Sequence, residues 1–240
     1  MSCYVIILVT LQIKMRIMQD FKNISTYKEG LKEKILSTAM DAFYKNGIRA
    51  VKMNDIANAL SISKRTLYEL YKNKEDLLFE GIRRYHQLRH DEMRNFASGD
   101  VSVMDIVLHS FKLEIEDFNY VNPAFFSDLL RYPRILEYFE EDKKNDQKQF
   151  MGFLQRGIDE GYFRGDLNYD LVVSILELQH KHIMMSQLYQ RFSMKEICYN
   201  LLFVSLRGIC TSKGIAVLDA FLGESKPQGT QTGQAAVCLH

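Results

Sequence analysis

The chain has 240 residues, 47% of them hydrophobic and 25% charged, with three prolines, no tryptophan and a formal charge of +1. This excludes a solvated tail or a disulfide-stapled miniprotein and points to a soluble, mostly helical globule able to bury its own core. The four cysteines, Cys3, Cys198, Cys210 and Cys238, form no CxxC pair, so neither a zinc site nor a disulfide framework is expected, and reduced thiols in a cytoplasm fit best.

Residues 1–26 read as a disordered leader. Their apolar run at 3–11 is too short to span a bilayer and no positive residue precedes it, so no membrane partner is expected. Met15 and Met18 offer alternative starts just before the ordered part. From Lys28 to Asn46, Leu31, Ile35, Ala39, Ala42 and Phe43 recur at three- and four-residue steps, which predicts a helix with one buried stripe, closed by Gly47 as C-cap.

A second helix over about 53–60 would bury Met53, Ile56, Ala57 and Leu60. A turn through Ser61 and Ile62 leads to a third, from Lys64 to about Tyr71, burying Leu67 and Leu70. Ser63 and Asn73 are N-cap candidates for the third helix and the one after it. Two short apolar-periodic helices around a tight polar turn form a helix-turn-helix, and small Ala57 lets the pair cross closely. Its surroundings are basic: residues 28–74 hold ten Lys/Arg against five Asp/Glu, while the chain beyond is net acidic, so the charge footprint for nucleic acid sits at one end.

The second helix of such a motif enters the major groove of double-stranded DNA and its first residues reach base edges. Ser63, Lys64, Arg65, Thr66 and Tyr68 occupy those places. Arg65 suits guanine O6 and N7, Thr66 a thymine methyl or a phosphate, and Tyr68 and Lys74 phosphates. The lesser alternative is that Lys64 and Arg65 are solvated helix-start residues, but cations there oppose the helix dipole, and a negatively charged partner would explain them.

Residues 32–85 resemble the DNA-binding head of the TetR (tetracycline-repressor-like) family of regulators. The resemblance rests on Ile35 to Phe43 with Gly47, then on DIANALSISKRTLYELYKNKEDLL at 55–78, similar to that family's DIA, five-residue joint, SKxTLY, aromatic and KE-LL finish. It implies DNA-backbone roles for Thr66, Tyr68 and Lys74 and groove-facing positions for Lys64 and Arg65. The DNA-binding candidates are therefore Lys52, Ser63, Lys64, Arg65, Thr66, Tyr68, Tyr71 and Lys74. The chain departs from the family at three positions. Arg65 stands where many members have glycine, and Ser61 where a generic helix-turn-helix has glycine. Lys52 replaces the usual Ser or Thr at the N-cap of the second helix, with Asp55 kept at the third position.

Beyond the head, residues 75–222 read as a helical bundle, with helices near 75–96, 101–119, 123–131, 134–157, 168–190, 194–213 and 215–222, and 223–240 as a disordered tail. The expected fold class is all-α: a three-helix head over 27–74 and a larger regulatory and dimerisation body. Paired heads need a homodimer on a palindromic operator. Leu171, Ile175, Leu178 and Met185, with Ile197, Leu201, Val204 and Leu206, are the candidate pairing faces, or else intramolecular core. A small-molecule effector is expected in the body, its candidate contacts being His109, Phe125, Phe126, Tyr138 and His180, although aromatic residues at helical spacing are more often plain core. His86 and His90 stand four apart and could share a metal; on a charged helix they read instead as a solvated face, and no metal, cofactor or catalytic residue is expected. The expected function is a cytoplasmic DNA-binding transcriptional regulator, a dimeric repressor released by a small ligand. The alternatives are a ligand-free or protein-responsive regulator or activator and, remotely, a helical enzyme with a DNA-binding head.

Overall fold

A computed structural model describes residues 27–118 and 121–224, so the leader and almost all of the tail lie outside the described residues. No strand forms among those described, in agreement with the all-α expectation. Helix α1 (Tyr27–Asn46) is followed by α2 (Met53–Ala59), α3 (Lys64–Leu70) and the long α4 (Lys74–Ala97). The body continues with α5 (Val103–Phe118), α6 (Pro123–Leu129), α7 (Pro133–Asp159) and α8 (Tyr169–Met185). After a 3-10 turn at Leu188–Gln190 come α9 (Met194–Ile197), a π turn at Cys198–Leu202, α10 (Phe203–Ile209) and α11 (Ser212–Glu224).

Local chemistry sets most of these boundaries. Asn73 accepts the Asp76 amide at 2.8 Å at the start of α4, and Asn168 accepts the Asp170 amide at 3.1 Å at the start of α8. Pro123 and Pro133 occupy first turns, where a missing N–H leaves nothing unsatisfied. Gly47 ends α1 at φ 81°, a left-handed conformation that side chains resist.

Two predicted helices are broken. The one expected over 168–190 stops at Met185, with Gln187 left-handed at φ 52°. The one expected over 194–213 stops at Ile209, because Cys210 becomes extended and bridges Phe163 of the α7–α8 turn. Arg164 N–H donates to Ile209 O and Thr211 N–H to Tyr162 O, each at 2.9 Å. These tertiary bonds satisfy the backbone that a longer helix would have used.

The head's core collects Ile35, Leu36, Ala39, Met40, Phe43 and Tyr44 of α1, Met53, Ile56 and Ala57 of α2, Leu67 of α3, and Leu77, Leu78 and Ile82 of α4. It does not stop there. Phe125, Phe126 and Leu129 of α6, Ile135 and Phe139 of α7, and Ile183, Met184, Tyr189 and Ile197 belong to the same cluster. Three helices of a small head bury too little apolar area alone, and α6 closes them: the Tyr44 and Phe125 rings pack at a tilt with centroids 4.7 Å apart. A second cluster joins α5, α7, α8, α10 and α11 through Met104, Leu154, Tyr169, Phe203 and Leu218, with Phe163 of the α7–α8 turn.

Candidate nucleic-acid interface

The motif is built from its turn. Leu60 ends α2, Ser61 turns the chain at φ 54°, and the Ile62 amide bonds to Ala57 O at 3.0 Å. Ser61 is thus left-handed without being glycine, at a cost of about 1 kcal/mol. Ser63 then caps α3: its Oγ accepts the Thr66 amide at 3.0 Å and lies 2.8 Å from Thr66 Oγ1. Leu67, wholly buried, pins the helix to the core, and this orientation turns Lys64, Arg65, Tyr68 and Glu69 outward.

On that outward side, Arg65 Nε donates to Glu69 Oε1 at 2.9 Å, with 89% of the Arg65 side chain exposed. Lys64 Nζ lies 5.8 Å from the centroid of the Tyr68 ring. An exposed i,i+4 ion pair is worth a few tenths of a kcal/mol. Arg65 is therefore held loosely and can exchange Glu69 for another acceptor. Lys52 caps the start of α2 with extended backbone and an exposed side chain. An ammonium accepts no hydrogen bond, so only the acidic half of the capping box is made, Lys52 N–H to Asp55 Oδ2 at 2.8 Å.

Two sequence-named residues sit differently. Tyr71 is 4% exposed and lies in the core, its hydroxyl without a hydrogen bond, and burial pushes its pKa up. Lys74 donates to Ile48 O at 2.8 Å and Val51 O at 3.0 Å, tying the α1–α2 loop to the start of α4, and desolvation lowers its pKa. Both hold the head together, and the outward set is Lys52, Ser63, Lys64, Arg65, Thr66 and Tyr68.

The residues named for an effector do not converge. Phe125 and Phe126 are buried in the head's cluster, Tyr138 packs at its edge, and His109 stacks on Phe96 with centroids 4.0 Å apart beside a separate small cluster. The side chain of His180 lies outside what is described.

Sequence reasoning missed the junction between head and α6. Asp128, 8% exposed, accepts the Arg49 amide at 2.7 Å, and Asn122 bonds to Tyr44 O and Lys45 O at 2.8 and 3.2 Å. No local pattern marks partners 79 residues apart. His86 and His90 also leave the solvated face assigned to them: His86 is 4% exposed and His90 half-buried.

Comparison with known proteins adds a family to this geometry. Residues 35–80 match the family of bacterial regulatory proteins, tetR family. The HTH-type transcriptional repressor KstR2 of Mycobacterium tuberculosis is 28% identical over 144 residues, covering 58% of this chain and 72% of that protein. The solved structure of the ketosteroid transcriptional regulator KstR2 from M. tuberculosis aligns with a TM-score of 0.51 at 23% identity over 79% of this chain and 98% of that one. A tetR-family transcriptional regulator from Cytophaga hutchinsonii aligns at 0.58 and 11% identity, over 79% and 100% of the two chains. At these identities the structures share the fold.

Proposed function

We propose that this chain, whose residues 35–80 match the family of bacterial regulatory proteins, tetR family, binds operator DNA as a homodimer and represses transcription until a small ligand binds its body. The carrying observation is the outward face of α3: Lys64, Arg65 and Tyr68 are exposed together while Leu67 anchors the helix from behind. Residues 27–74 read the DNA, and residues 75–222 sense and pair. Arg65 reads a base, and Lys52, Thr66 and Tyr68 hold phosphates. A helix-turn-helix alone makes too few contacts, so two heads occupy half-sites about one helical turn, roughly 34 Å, apart.

The apolar stripe of α8 supports pairing. Leu171, Ile175, Leu178 and Met185 are 63, 64, 67 and 68% exposed, at helical spacing on one helix, and Val204 of α10 is 63% exposed. Large apolar side chains bared in a row are costly in water and suit a second copy of the same surface. Ile197, expected on this face, is buried in the core.

The effector is an apolar molecule with few hydrogen-bonding groups, in keeping with the aromatic body and with the ketosteroid regulator named among the similar structures. No described helix is long and apolar enough to cross a membrane, and the proposed site of action is the cytoplasm.

Selection of bound DNA from a random pool tests the reading. Enrichment of a palindrome is expected, and enrichment of no motif overturns it.

A further inference from the structure

Helices α4 and α7 run side by side, and their contacts climb both helices together. Asp76 pairs with Arg134 at 2.7 Å, the rings of Phe79 and Tyr138 lie 5.6 Å apart, and further along His86 and His90 of α4 meet Asp142 of α7. The two histidines are one turn apart and so share a helix face. Asp142 Oδ2 lies 3.4 Å from His86 Nε2 and 3.8 Å from His90 Nε2, and the three ligand atoms lie within 4.8 Å of one another. In a tetrahedral complex with bonds of about 2.0–2.1 Å, ligand atoms stand about 3.3 Å apart. The His86–Asp142 edge is already near that length and the His90–Asp142 edge is about half an ångström longer.

The surroundings favour ligation over a simple ion pair. His86 Nδ1 lies 2.9 Å from the Tyr138 hydroxyl. When Nδ1 donates that proton, the lone pair falls on Nε2, and this is how metal-bound histidines are held in tautomer and orientation. Metal ions take the neutral imidazole, so a ring that hands its Nδ1 proton to a neighbouring oxygen presents the Nε2 lone pair for a bond. The His86 Nε2 is buried and makes no hydrogen bond, an arrangement that a bond to a cation would relieve.

We propose that His86 Nε2, His90 Nε2 and a carboxylate oxygen of Asp142 bind one divalent transition-metal ion, zinc or its cobalt or nickel counterpart, with a fourth position open to water. Two imidazoles and one carboxylate suit these borderline ions better than calcium or magnesium, which prefer all-oxygen shells. The ion would join α4, which begins in the head, to α7 in the body. The assignment is independent of the DNA-binding reading.

The test is a titration of the full chain with Co2+ after chelator treatment and dialysis. The expected result is one equivalent bound per chain, with the intense visible absorption of a four-coordinate site, displaced by Zn2+. His90→Gln and Asp142→Asn, both at half-buried positions, are expected to lose this absorption while keeping the helical circular dichroism of the parent. Tyr138→Phe keeps all three ligands and is expected to weaken binding about 10- to 100-fold. Absence of uptake by the parent chain overturns the proposal, and so does uptake unchanged in both ligand variants, which would place the ion elsewhere. Should a variant fail to fold, Co2+ broadening of the His86 and His90 ring resonances in the parent chain decides: broadening supports the site and its absence overturns it.

Discussion

Ser61, Lys52 and Arg65 each break a local rule, and each break has a measurable consequence. Ser61 sits at φ 54°, so Ser61→Gly relieves the strain and should raise unfolding stability by up to about 1 kcal/mol in urea denaturation, less the extra freedom glycine gives the unfolded chain. Lys52 leaves α2 without a side-chain cap. Lys52→Thr should therefore raise the melting temperature by the equivalent of about 1 kcal/mol. It should also weaken operator binding and reduce the salt slope by about one unit, because a phosphate contact is lost. Equal or tighter binding by that variant at raised salt would remove Lys52 from the interface. Arg65 is held only by exposed Glu69, so Arg65→Ala should leave stability nearly unchanged and relax base preference at one operator position by about 1–3 kcal/mol, read by competition binding.

Between elements, the junction of α6 with the head is tight where α1 ends. A Cβ on Gly47 would stand 2.9 Å from Ala124 Cβ, and the residue is left-handed at φ 81°. Gly47→Ala combines both penalties and should destabilise by more than about 1 kcal/mol. Asp128→Ala would strand the Arg49 amide and should cost about 1–3 kcal/mol in the same denaturation assay. Because this junction ties the head to the body, the variant should also lower operator affinity more than its loss of stability alone explains. On α8, a charge in the middle of the bared stripe opposes pairing. Ile175→Glu should yield monomers in sedimentation analysis with the helical content intact, and a dimer that survives would move the interface off α8.

At the scale of the whole molecule, α4 is the member that every reading shares. It begins at Lys74 under the α1–α2 loop, buries Leu77 and Leu78 in the head's core, and in its last turns places Met93 in the small cluster with α5. A small shift of α4 against α7 would move the head, which is how a body-bound ligand could weaken operator binding. The local half of this arrangement was legible in the chain. Periodicity marked the helices, Ser63 and Asn73 marked two of their starts, Gly47 marked an end, and the SKRTLY stretch marked the second helix of the helix-turn-helix, because these features depend on residues within one turn of each other. Tertiary structure decided what depends on distant partners. It put Tyr71 and Phe125 in the core, engaged Lys74 with two carbonyls, and ended a helix at Ile209 so that Cys210 could bridge Phe163. It also brought Asp142 to His86 and His90, turning an ordinary i,i+4 pair into three convergent ligand atoms. The physical reason is that capping and helical period are short-range effects, whereas burial and pairing are set by which surfaces meet once the chain has closed on itself.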